Sequence, residues 1–109
     1  MKKDEDIRVG VKFEIAKYLR ADFVIQLRRW RENHVMDGQV HDRFNEMAAK
    51  HERNEVPAGV HHRESWVDEK GRKLYGVTIF GVRLKYVQVS DSLYRVVAFG
   101  SSHPAKKSK

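Results

Sequence analysis

Three cations stand in the last patterned stretch of the chain, GVRLKYVQVSDSLYRVVAFGSSH, residues 81–103. Two runs that alternate apolar and polar residues flank Ser90, Asp91 and Ser92, the pattern of a β-hairpin. In residues 82–89, Val82, Leu84, Tyr86 and Gln88 fall on one face and Arg83, Lys85, Val87 and Val89 on the other. A three-residue loop at 90–92 pairs Val89 with Leu93 and Val87 with Arg95. Arg83, Lys85 and Arg95 then share a face, opposite Leu84, Tyr86, Tyr94, Val96 and Ala98. The second set is the better one to bury. The first can neutralise phosphates. The structural alternative is that its long side chains lie over apolar surface and discourage edge pairing.

His61, His62 and Glu64 form a second group, beside Trp66. A metal site there would want a third ligand, and adjacent histidines on a strand face opposite ways. A solvated strand or loop edge accounts for the group without chemistry. Trp66 could stack on a base, though packing in the core or at a sheet edge is the stronger expectation. Trp30 belongs to an apolar helical stripe and is expected in the core. His34, His41 and His51 read as surface or hydrogen-bonded, partly buried residues on or beside helices. Lys106, Lys107 and Lys109 end the chain and could add phosphate contacts as a flexible arm. No Gly-rich phosphate loop, G-x-S-x-G elbow or H-E-x-x-H appears, which argues against NTPase, serine-hydrolase and metalloprotease chemistry.

These residues need elements to hold them. IRVGVKF, residues 7–13, alternates with Ile7, Val9, Val11 and Phe13 on one face, which predicts a strand. Over residues 15–33 the period changes to three and four: Ile15, Leu19, Phe23, Leu27 and Trp30 make a helical stripe, with Ile25 on its far side. A break at Ala21 and Asp22 would make Asp22 an N-cap. Asp37 and Gly38 mark the next boundary. Residues 39–53 carry a second stripe of Val40, Phe44, Met47 and Ala48, ended by Asn54 and the Pro57-Ala58-Gly59 run. Residues 60–67 form a short strand or an ordered loop, 68–71 a turn and 73–80 a strand. The prediction is an α+β domain, β-α-α-β-β-β with one further optional strand, in which two helices pack on one face of an antiparallel sheet.

The 109 residues allow one domain with a single modest core. It is placed at 1–103, with a flexible basic tail at 104–109. Cysteine is absent, which removes disulfides, thiolate metal sites and cysteine nucleophiles. No apolar run approaches the roughly 18 residues of a membrane span. MKKDEDIRVG lacks the apolar stretch of a secretory signal, so cytoplasmic residence is the default expectation. The net charge is +7, and it is unevenly placed. Residues 1–71 hold 14 Lys and Arg against 14 Asp and Glu, whereas residues 72–109 hold 8 against Asp91 alone. Such a one-sided excess favours a polyanionic partner.

The element order and the hairpin together resemble the RelE/ParE superfamily of bacterial toxins, over roughly residues 7–103. The resemblance lies in LRRWREN at 27–33, an aromatic within a basic helix, and in Gly81-Val82-Arg83-Leu84-Lys85-Tyr86, which has the form G-x-R-Φ-x-Y with Φ apolar. It extends to the closing VVAFGSSH. The last two strands are more loosely similar to MqsR-type ribonucleases. RelE-like members cut mRNA, usually in the ribosomal A site, without a metal or other cofactor. The 2′-hydroxyl attacks the neighbouring phosphate and leaves a 2′,3′-cyclic phosphate. ParE-like members instead poison DNA gyrase. Most members are neutralised by an antitoxin protein.

The resemblance implies that Arg83 holds the scissile phosphate, which a guanidinium can grip with two parallel hydrogen bonds. It places His103 where some members carry a general acid or base, and it offers Glu64 with His62 as another proton-transfer pair. Lys73, Lys85, Arg95, Lys106 and Lys107 would support nucleic-acid binding. The strand before the arginine, YGVTIFG, holds Thr78 and Phe80 where RelE-like nucleases usually carry basic residues. The leading expectation is therefore a metal-independent endoribonuclease. The alternatives are a non-catalytic protein-binding inhibitor, either ParE-like or a phage-type inhibitor of a host enzyme, and a basic nucleic-acid-binding module.

Overall fold

The computed structural model describes residues 7–100. Its elements are β1 (Ile7–Val9), β2 (Phe13–Ile15), α1 (Arg20–Glu32), α2 (Asp37–Glu52), β3 (Leu74–Ile79), β4 (Val82–Ser90) and β5 (Leu93–Phe99), with one 3-10 turn at Lys17–Leu19 before α1. The sheet has five strands in the order β1-β2-β5-β4-β3. The α+β class expected from the sequence is observed, with two helices and a mixed sheet. The sheet is not antiparallel throughout, because β2 runs parallel to β5. The chain leaves β2 through both helices, builds the β3-β4-β5 meander, and returns along β2 in the same direction.

The single strand expected at residues 7–13 is instead two short antiparallel strands around a turn. Gly10 opens that turn at φ +75°, a conformation that costs glycine little. Two α2 side chains hold it: His41 Nδ1 accepts from Gly10 N–H at 3.1 Å, and Asn45 Oδ1 accepts from Val11 N–H at 2.7 Å. Val11 is consequently exposed rather than inward-facing. Alternation in the sequence cannot distinguish this bend from a continued strand. The extra strand also moves Ile15 out of the predicted helix and into β2, where it is buried opposite Val96. Helix α1 starts five residues later than expected. Asp22 lies inside its first turn rather than at the cap, near the positive end of the helix dipole.

In α1, Phe23 and Trp30 are buried while Ile25 stays exposed. Trp30 Nε1 donates to the Phe80 carbonyl at 3.1 Å, tying α1 to the β3–β4 turn. That turn, Phe80-Gly81, has both residues at positive φ, the geometry of a tight hairpin. Helix α2 begins at Asp37 and Gly38, the pair expected to punctuate its approach. The Gln39 side chain reaches back to accept from Met36 N–H at 2.8 Å. Val40, Phe44, Met47 and Ala48 are buried at the predicted helical spacing.

One core joins the helices to the sheet, and Phe13 sits near its centre. Its ring centroid lies 4.9 Å from Phe44, 5.0 Å from Tyr86 and 5.1 Å from Tyr94. In the β4–β5 hairpin Val87 pairs with Arg95, as expected. The turn is one residue tighter, with Ser90 opposite Leu93, and an irregularity at Val89 absorbs the difference. Among the described residues no helix is long and apolar enough to cross a membrane.

A candidate nucleic-acid groove at the sheet edge

Residues 60–67 form a loop that is stitched to the outer edge of β3. His61 and Gly76 exchange two backbone hydrogen bonds of 2.8 Å, and Leu74 N–H donates to the Trp66 carbonyl at 2.9 Å. Asp68 anchors the turn that follows. Its Oδ1 accepts from Lys70 and Arg72 N–H, and its Oδ2 meets Arg72 Nε at 2.7 Å. The glycine within β3, Gly76, has a use here. Trp66 Cζ3 lies 3.1 Å from where a Gly76 β-carbon would stand, so the missing side chain seats the indole.

Gly76 pairs with Lys85 on β4, and this register brings the lysine to the tryptophan. Lys85 Nζ stands 4.5 Å from the centre of the Trp66 ring, and the Arg63 guanidinium carbon 5.5 Å from it. Both distances suit a cation–π contact. Trp66, Arg63 and Lys85 line a groove of about 1080 Å³ together with Lys73, Arg83, His61 and His62. Among the described residues no Asp or Glu lines it.

The four strong cations of the groove share a second property. Arg63, Lys73, Arg83 and Lys85 make no ion pair with any described residue. Arg31, Arg43, Arg53, Arg72 and Arg95 are each held by a carboxylate. Like charges gathered in a concave surface, with no acid to cancel them, focus a positive potential. Arg83 is exposed on β4 opposite Thr78, and among the described residues its guanidinium has no ion-pair partner.

His62 is placed differently. Its Nδ1 lies 2.9 Å from the Leu74 carbonyl, and its ring packs on Tyr75 at 5.7 Å. A carbonyl can only accept, so Nδ1 carries a proton, and in the neutral ring Nε2 then presents the lone pair. That is the form required of a general base. Among the described residues no three His, Asp or Glu side chains gather as a metal site.

The remaining predicted site residues divide. Glu64 is exposed on the loop and does not line the groove. Arg95 is separated from Arg83 and Lys85 by its pairing: its Nε meets Glu14 Oε2 at 2.6 Å across the parallel β2–β5 pair, and Glu14 is buried. The three hairpin cations therefore do not form one free surface. His103, Lys106 and Lys107 lie outside the described residues. Arg63 was missed in the sequence. The signal was available in HHRESW, where two histidines and an arginine closely precede an aromatic residue.

Behind the groove lies an aromatic cluster. His51 Nε2 is 2.6 Å from the Tyr86 hydroxyl, and the imidazole stacks on Tyr94 at 5.2 Å and contacts Tyr75 at 4.8 Å. Burial pushes the His51 pKa below its ordinary 6.5, because the charged ring would lose hydration. The same loss of hydration raises the Tyr86 and Tyr94 hydroxyl pKa values.

Fold and groove together define a small α+β domain with a cationic, tryptophan-bearing cleft at one sheet edge. Comparison with protein-family models, with curated proteins and with solved structures finds no match.

Proposed function

We propose that this protein binds RNA in the groove between β3, β4 and the 60–67 loop and cleaves it without a metal, in the manner of the RelE-like toxins. One observation carries the reading: Arg63, Lys73, Arg83 and Lys85 line a single groove with no carboxylate among its described lining residues, and His62 lines it too, with its Nδ1 on the Leu74 carbonyl. Arg83 takes the phosphate. It neutralises the charge that builds on the phosphorus oxygens as the 2′-oxygen attacks. His62 Nε2 removes the proton from the 2′-hydroxyl. The 2′-O–P bond forms, the P–O5′ bond breaks, and the departing 5′-oxygen takes a proton from a second donor, a role given to His61 because it lines the same groove. The products are a 2′,3′-cyclic phosphate and a 5′-hydroxyl. On this reading mRNA is the substrate class, the ribosome is a candidate platform, and an antitoxin protein is the natural inhibitor.

The test is cleavage of a defined mRNA, with and without ribosomes, in EDTA. The wild type yields fragments ending in a cyclic phosphate; Arg83→Ala lowers the rate at least 100-fold, on the order expected for removing one transition-state donor. Absence of cleavage by folded protein in both settings overturns the catalytic step. The position of Glu64 outside the groove favours one second reading, a non-catalytic RNA-binding module. Binding without cleavage in the same assay would support it.

A further inference from the structure

We infer that Trp66 and Arg63 form a nucleobase seat, so that the groove selects unpaired, base-bearing strands over duplex; this rests on the proposed RNA-binding groove and deepens it. The indole is only half-buried, although a tryptophan has the largest apolar surface to hide. Burial in the core is therefore not what fixes it in place. It is fixed by a vacancy at Gly76 and by Lys85 at 4.5 Å. The loop that carries it is anchored on both sides, by the His61–Gly76 bonds before it and the Asp68 turn after it. The result is a rigid aromatic plate in a cationic groove.

A phosphate chain alone would be satisfied by the cations. An indole among those cations adds a π-face on which a base can stack in place of a side chain, while the neighbouring charges take the backbone. The Arg63 guanidinium is itself planar and can stack on a base. Its central carbon lies over the ring, 5.5 Å from the ring centre, and swings aside to admit a base against the indole. In duplex RNA the bases are stacked on one another and the deep major groove is closed to side chains, so no base face is free for the plate.

The chain contains two tryptophans, and Trp30 is buried in the core, so a change in tryptophan fluorescence on binding reports Trp66. The experiment compares a single-stranded RNA of about 12 nucleotides, within the usual site size, with a strand of equal length built from abasic residues, a DNA strand of the same sequence, and the RNA duplex. Affinity is read from the anisotropy of a labelled strand. The base-bearing strands, RNA and DNA alike, are expected to quench Trp66, and the abasic strand to bind without quenching. Trp66→Ala is expected to weaken binding of the base-bearing strands roughly ten-fold, to leave the abasic strand unchanged, and Trp66→Phe to restore most of the loss. Equal binding and equal quenching by abasic and base-bearing strands overturn the nucleobase seat while leaving the groove reading intact. So does a Trp66→Ala loss that is the same for both. Failure of every strand to bind overturns the groove reading itself.

Discussion

Trp66 occupies the space that a side chain at Gly76 would fill, with 3.1 Å between its Cζ3 and the position of the absent β-carbon. The smallness of one residue on β3 thus sets the position of an aromatic ring on a separate loop. That ring in turn is in contact with Lys85 and Arg63, which line the groove with it. Gly76→Val would place two methyl groups there. It is expected to destabilise the fold by about 1–3 kcal/mol, as overpacking does, and to displace Trp66. Urea denaturation checks the first effect. The emission maximum of Trp66 in the folded protein checks the second.

His51 sets a pH dependence of stability. Its pKa in the folded protein lies below the ordinary 6.5 because burial disfavours the charged ring. The unfolded chain therefore binds a proton more readily than the native one, and stability rises with pH in this range. The His51 contribution is complete above about 6.5 and is lost as pH falls through the lower folded value. Thermal melts between pH 7.5 and 5 should show a decline in Tm that His51→Gln flattens. Persistence of the same decline in that variant would move the effect to another group.

Arg95 and Glu14 are expected to matter for folding and not for RNA. The carboxylate is buried against the sheet, and Arg95→Ala would strip it of a 2.6 Å partner. A loss of about 2 kcal/mol is predicted, below the cost of breaking a fully buried pair because the arginine is partly exposed. RNA affinity of the folded variant should stay within about two-fold of wild type, since Arg95 is held by Glu14 and is not among the residues that line the groove. Chemical denaturation and anisotropy separate the two effects.

Much of the fold was legible because periodicity carries it. The stripe of Val40, Phe44, Met47 and Ala48 and the alternation of Leu84, Tyr86, Tyr94 and Val96 predicted their burial directly, whereas Ala98 pairs with Lys85 beyond an irregularity and stays half-buried, and Val87 is buried on the face expected to be uncovered. The β1–β2 bend was not legible. It depends on His41 and Asn45, more than thirty residues away, accepting from the backbone of Gly10 and Val11. Parallel pairing of β2 with β5 is likewise a tertiary relationship that alternation does not encode. The same division runs through the site. Arg83 and Lys85 stand out on a strand face, whereas their separation from Arg95 follows from Glu14, eighty-one positions earlier in the chain. Arg63 and Trp66 gain meaning only when the loop folds over Gly76.

The central claim is that the unpaired cations of the groove hold the phosphates of RNA. The most direct test is the salt dependence of binding for wild type, Arg83→Ala and Arg29→Ala, the last an exposed arginine of α1 outside the groove. Each phosphate contact contributes about 0.7 to the slope of log K against log salt concentration for a single strand. The account predicts that Arg83→Ala weakens binding and lowers the slope by roughly 0.7 to 1, while Arg29→Ala leaves both at wild-type values. Equal effects of the two substitutions, or no binding at low salt, would contradict it.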